Sequence, residues 1–231
     1  MKRGQATLFI ILGIILVALI VLIAFYKDQF SESLQKTGLI KKEALDTEAE
    51  KITQEINNCL EDLTGEAILY VASNNEGLPE LKSIENSVSD YINQMIPFCI
   101  LNNKFNTQVE AVGKAKTSTE ITNNIIKIRV NYPVAVILED SSTTITNFNA
   151  GKDTRIGLIH ELAKEIEALH KEQPGICLSC LFEIGSKNNL KIDVYNPENT
   201  QEAHFVMTDE ENLINNRPLI FTFIIKLEET I

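Results

Sequence analysis

The chain has 231 residues, a formal net charge of −11 and 44% hydrophobic residues. An acidic chain repels phosphate and releases no counterions on contact with it, which argues against a nucleic-acid partner. The acidity by itself signals solubility rather than an acidic binding site.

Lys2 and Arg3 are followed by Gly4 and Gln5, and no charge appears again before Lys27. The apolar run Ala6–Tyr26 is long enough to cross ~30 Å of hydrocarbon as a helix. A secretory apolar region spans only ~7–15 residues and ends at a small-residue cleavage site. No A-x-A follows this run, so it is expected to be retained. No second run of the kind occurs, which predicts a single span. The chain therefore divides into a basic leader with an apolar helix over 1–26 and a domain over 27–231. The cations ahead of the run favour an inside N-terminus, although Lys27, Lys36, Lys41 and Lys42 also fall within the window that sets orientation. Beside the run, a clean cationic pair precedes it and a mixed Lys27/Asp28 follows it, so the C-terminal domain is expected outside the cytoplasm. Phe25 and Tyr26 suit the membrane–water interface.

Arg3-Gly4-Gln5-Ala6, abutting a long apolar helix, resembles the class III signal peptide of archaeal type IV pilins. The resemblance covers the first 26 residues and implies cleavage between Gly4 and Gln5. It also implies that the apolar helix anchors the subunit in lipid and then packs against its own copies in a filament core. Phe9 occupies the fifth mature position, where many pilins carry Glu. Over its whole length the chain also resembles a group of single-span proteins of small archaea. These open on a QVTLFI-like run and carry spaced cysteines near Cys59, Cys99 and Cys177-Leu178-Ser179-Cys180. That second resemblance implies no activity.

From Lys27 to Ser73 the sequence reads as helix, with Ile52, Ile56, Leu60, Leu63, Ala67 and Val71 on one face. The stripe is either packed on its own domain or an oligomer seam; no strict heptad supports a coiled coil. Asn74–Pro79 is a turn cluster, and a second helix follows with Val88, Tyr91, Ile92, Met95, Ile96 and Cys99 on its apolar side. Ile125–Leu138 alternates Ile126, Ile128, Val130 and Tyr132 with Lys127, Arg129 and Asn131, the pattern of a half-buried strand. Pro133 predicts a bulge or an edge within it. Glu139–Ser142 reads as a turn and Thr143–Asn149 as a short return strand. Asp153 or Thr154 is placed to cap a helix over Arg155–Lys171 that faces Ile156, Ile159, Leu162, Ala163, Ile166 and Leu169 inward. Leu190–Tyr195, Ala203–Thr208 and Leu219–Leu227 read as strands separated by turns. The order predicts an α+β fold: a long N-terminal helix with an apolar membrane half and an amphipathic half, an antiparallel sheet, and two further helices.

Cys177-Leu178-Ser179-Cys180 is the sharpest chemical motif. Three readings stand: a structural disulfide in an oxidising compartment, a redox dithiol, or half of a metal site. A dithiol motif sits after a strand and opens a helix; Pro174 and Gly175 precede this one and a loop or strand is expected after it, so the disulfide is favoured. A metal site wants two further close ligands, and Cys59 and Cys99 are single and distant in sequence. Each lies on the apolar side of an amphipathic helix with a turn between, so antiparallel packing pairs Cys59 with Cys99 and leaves Cys177 to Cys180. His160-Glu161 is followed by Lys164 where a zinc protease motif needs a second histidine, so His160 is expected on a helix surface. His170 suits a helix C-terminus, and His204 lies in a strand without companions. The many asparagines form no N-x-[ST] glycosylation site.

These readings give no catalytic, cofactor-binding or metal residues, and no small-molecule ligand. They predict a non-enzymatic surface protein, held in the cell membrane through Ala6–Tyr26 and assembled with copies of itself as a type IV pilin-like subunit. The alternatives are a monomeric tethered domain that binds another partner, and a membrane-bound thiol oxidoreductase that uses Cys177 and Cys180.

Overall fold

The computed structural model describes residues 17, 21, 42–73, 75–101, 105–172, 175–197 and 201–227. Gly4, Gln5 and most of Ala6–Tyr26 lie outside the described residues. Val17 and Val21 of that run are helical and exposed. Among the described residues no helix is long and apolar enough to cross a membrane.

The chain folds as α+β with two antiparallel sheets. Helix α1 covers 42–73. Helix α2 (Leu81–Met95) and the short α3 (Pro97–Leu101) follow. Strands β1 (Gln108–Ala111), β2 (Lys116–Ile121), β3 (Ile125–Leu138) and β4 (Ser141–Asp153) form the first sheet. Helices α4 (Ile156–Glu172) and α5 (Leu178–Asn188) lead to β5 (Lys191–Tyr195), β6 (Glu202–Ile214) and β7 (Arg217–Lys226), which form the second. Where one sheet was expected from sequence, the strands divide between two, and both contribute to one hydrophobic core.

Helix α1 buries Leu45, Ala49, Ile52, Ile56, Leu60, Ala67 and Val71, a stripe at spacings of three and four. Thr64 falls on that stripe fully buried, and its hydroxyl donates to the Leu60 carbonyl at 2.7 Å. Helix α2 returns beside α1: the Tyr70 and Tyr91 rings lie 5.5 Å apart, and the Tyr91 hydroxyl meets Glu66 at 3.5 Å. Burial first, and the Glu66 carboxylate second, push the Tyr91 hydroxyl above its ordinary value. Cys59 of α1 is bonded to Cys99 of α3, with Cα atoms 5.8 Å apart.

Strand β3 is the hub of the first sheet. Ile126, Ile128, Val130, Tyr132, Val134 and Val136 are buried, while Lys127, Arg129 and Asn131 point to solvent. Strands β1 and β2 pair with the two ends of β3 along one edge, and β4 pairs along the other. At Pro133 the register against β4 shifts by one residue, a bulge on β3. Across it β4 changes which residues face inward, from Ile145 before to Phe148 and Ala150 after. Proline has no N–H to give the ladder. Its carbonyl accepts from Val112 at 2.9 Å, and its ring packs against Gly113 in the gap between β1 and β2.

Strands β6 and β7 are joined through Asn215 and Asn216, both with positive φ (49° and 60°), the backbone of a two-residue hairpin turn. The tip docks on α1 at Gly65, where a Cβ would stand 2.7 Å from the Asn215 amide carbon, and Asn215 donates to the Asp62 carbonyl at 3.1 Å. Gly65 thus permits a close approach within a helix that it would otherwise only weaken.

Candidate functional site

The Cys177–Cys180 disulfide lies where α4, a short loop and α5 meet. His170, in the last turn of α4, places Nδ1 3.2 Å from the Gly175 carbonyl. Gly175 has a φ of +121°, a conformation open to glycine, and turns the chain toward α5. Cys177 is the N-cap residue of α5, and its Sγ accepts a hydrogen bond from the Cys180 N–H at 3.3 Å. Ser179 Oγ lies 3.5 Å from the same sulfur. The first turn of α5 carries no acidic residue, so the positive end of the helix faces Cys177 without local opposition. Leu181, Ile184 and Gly185 bury the inner face of α5, and Gly185 sits against the Leu190 carbonyl. On the outer face Leu178 and Phe182, one turn apart, are 66% and 78% exposed beside the disulfide.

This corrects the expectation from sequence that a loop or strand follows the C-x-x-C. A helix follows, so the electrostatic half of the dithiol context is present. The preceding element is α4 and a loop, not a strand.

Two concavities border the disulfide, and a third adjoins them at His170. A pocket of about 20 Å³, room for one water, is lined by Ile166, Leu169, His170, Cys177, Cys180 and Phe205 among others. A cleft of about 320 Å³ shares Cys180 and Leu169 with it and adds Leu162, Glu165, Glu183 and Lys187. A second cleft of about 350 Å³ shares His170 and is bordered by Leu78, Glu167, Lys171, Ile225 and Lys226. Cys180 thus borders both the small pocket and the cleft of about 320 Å³, while Cys177 borders the small pocket.

The histidines divide by environment. His160, expected on a surface, is 3% exposed. Its Nε2 lies 2.7 Å from the Pro79 carbonyl, which can only accept, so that nitrogen carries the proton. Its ring meets Phe221 edge-on at 6.5 Å. The stripe of α4 is wider than the apolar residues alone suggested, because the turn ahead of α2 packs over it. His204, expected without companions, has Glu202 at 3.6 Å and the Tyr195 ring at 5.0 Å. Asp209 is fully buried where β6 gains three residues on β7. Its Oδ1 accepts from the N–H groups of Glu211 and Asn212 at 3.2 Å, and Arg155 Nη1 lies 3.3 Å from each oxygen. The Arg155 guanidinium also donates to the Asn188 carbonyl at the end of α5. This cluster joins α4, α5 and β6 and is structural. Among the described residues no group of three or more His, Cys, Asp or Glu is placed to hold a metal ion.

The spacing of the cysteines located the site, but not Ser179, His170, Leu178 or Phe182. Only the helical start of α5, which sequence reasoning did not find, relates these residues to the sulfurs. No protein-family model, curated protein or solved structure matches the chain.

Proposed function

We propose that the protein is a membrane-anchored, extracytoplasmic surface protein, a type IV pilin-like structural subunit without enzymatic turnover. The observation that carries this reading is the uncharged run Ala6–Tyr26 directly behind Lys2-Arg3-Gly4-Gln5. In this reading the apolar helix continues into α1 and forms one long N-terminal helix. A helix apolar on all sides has to be buried, either in lipid or among copies of itself. The domain supports the reading in two ways. It buries its own core, with no need of lipid. It also carries two disulfides, which persist in oxidising compartments.

The test is the N-terminus of the protein isolated from its native membranes, read by mass spectrometry, with sheared surface fractions probed in parallel. A chain beginning at Gln5 and present in the sheared fraction supports the proposal. A chain that retains Met1 or Lys2 and stays in the membrane removes the pilin reading and leaves a monomeric tethered domain.

A further inference from the structure

We propose that Cys177–Cys180 is an exchangeable disulfide that accepts electrons from the dithiol of another extracytoplasmic polypeptide, with Cys180 the sulfur attacked and Cys177 the sulfur that leaves. The inference rests on the extracytoplasmic placement proposed above and not on filament assembly.

Four observations carry it. Cys177 Sγ caps α5, with the Cys180 N–H at 3.3 Å and Ser179 Oγ at 3.5 Å, so charge developing on that sulfur meets two donors and the positive end of a helix. A stabilised thiolate is the better leaving group in exchange. Cys180 borders the cleft of about 320 Å³ through which a second sulfur can approach, and Cys177 does not line it. Both cysteines are partly exposed, whereas the other disulfide pairs a partly exposed Cys59 with Cys99, which is 1% exposed. Opening the bond also leaves α5 in place, because Leu181, Ile184 and the Arg155 contact to Asn188 hold the helix independently of it.

A partner thiolate attacks Cys180 Sγ, the Cys177–Cys180 bond breaks, and its electron pair leaves on Cys177. The partner's second thiolate then attacks the partner sulfur of the mixed disulfide and releases Cys180 as a thiolate. The partner dithiol gives up two electrons and, through water, two protons, and Cys177 and Cys180 take them up. The exchange is stoichiometric and reversible. Leu178 and Phe182 flank the bond and supply an apolar contact for the partner segment. The titratable and charged groups that share these concavities with the sulfurs are His170 in the small pocket and Glu165, Glu183 and Lys187 in the cleft.

The test uses the full chain in detergent with glutathione as the probe. Brief exposure of the oxidised protein to reduced glutathione, stopped with acid and mapped by mass spectrometry, should place the adduct on Cys180 with Cys177 free. In Cys180→Ser the rate of Cys177 alkylation by iodoacetamide should reach half its limit below about pH 7.5, against ~8.5 for an ordinary thiol. In Cys180→Ser/Ser179→Ala that midpoint should rise, and in Cys177→Ser the midpoint of Cys180 should be the ordinary one. A glutathione adduct on Cys177, no adduct at all, or a Cys177 midpoint at or above about pH 8.5 overturns the proposal. The adduct map needs no variant, so it decides the question even if a substitution disturbs folding.

Discussion

Replacing Cys59 and Cys99 together by alanine should lower the melting temperature far more than replacing Cys177 and Cys180. The first pair closes a loop with a sequence separation of 40, the second one of 3. On the chain-entropy account the longer loop contributes about 4 kcal/mol and the shorter about 1.6 kcal/mol. Cys99 is also 1% exposed, so losing its sulfur leaves a void that adds about 1 kcal/mol to the first figure. A domain of this size moves by roughly 2–4 °C per kcal/mol. The Cys59→Ala/Cys99→Ala variant should therefore melt about 10–20 °C below the parent, and the Cys177→Ala/Cys180→Ala variant about 3–6 °C below it. Thermal melts followed by far-ultraviolet circular dichroism, without reductant, measure both. Two variants that melt within about 3 °C of each other would refute the assignment of the stabilising role to Cys59–Cys99.

Gly157→Ala should destabilise by about 1–3 kcal/mol despite alanine's better helix propensity, because the new methyl overlaps the Thr122 carbonyl; Gly77→Ala, with open space around it, is the control for denaturant titration. Glu85 accepts from Ile121 N–H at 3.0 Å and Lys82 at 2.8 Å. Burial alone would raise its carboxyl, but the Lys82 and Ile121 bonds outweigh burial and hold it below its ordinary value. Its contribution is therefore present above the unfolded value of about 4.3 and lost as pH falls through the folded one. Glu85→Gln should cost about 1 kcal/mol at pH 7, with the gap to the parent narrowing as pH falls below about 4.3; a gap independent of pH would contradict this linkage. Arg155→Met should cost about 3 kcal/mol by leaving the fully buried Asp209 unpaired, and Arg155→Met/Asp209→Leu should recover part of that loss in the same titration.

Strand β3 was legible because its alternation is strict and its lone proline has few places to sit. Helix α4 was legible from six apolar residues at helical spacing, and the capping contact is present: Thr154 Oγ1 accepts from Ile156 N–H at 3.3 Å. Strands β1 and β2 were not legible. They lie along one edge of the first sheet and are mostly polar, so Lys116–Ile121 buries only Thr119 and Ile121. Helix α5 was hidden by its composition. It runs eleven residues with Gly185 and two serines, and its periodicity rests on Leu181 and Ile184. Glu210, Glu211 and Asn212 read as a turn, but they form an insertion in β6, because the buried Asp209 takes up two backbone N–H groups that the ladder leaves free. His160 was misplaced for the opposite reason. Its acidic neighbour suggested a wet face, and only the fold brings the Pro79 carbonyl over it.

Helix α1 touches both sheets along its length. Asn57 accepts from the Asn149 N–H of the first at 3.0 Å, Asp62 from the tip of the second at 3.1 Å, and Asn75, just past the helix end, donates to Thr222 at 3.1 Å. Force applied at the N-terminal end of α1 and opposed beyond Cys99 therefore loads the Asn57 contact to the first sheet, whereas the Asp62 and Asn75 contacts to the second lie between Cys59 and Cys99. Peeling can consume residues 42–58 turn by turn. At Cys59 the tension passes covalently to Cys99, and the residues between them carry none. The packing of residues 60–73 of α1 is thus bypassed by such a pull until a sulfur–sulfur bond breaks.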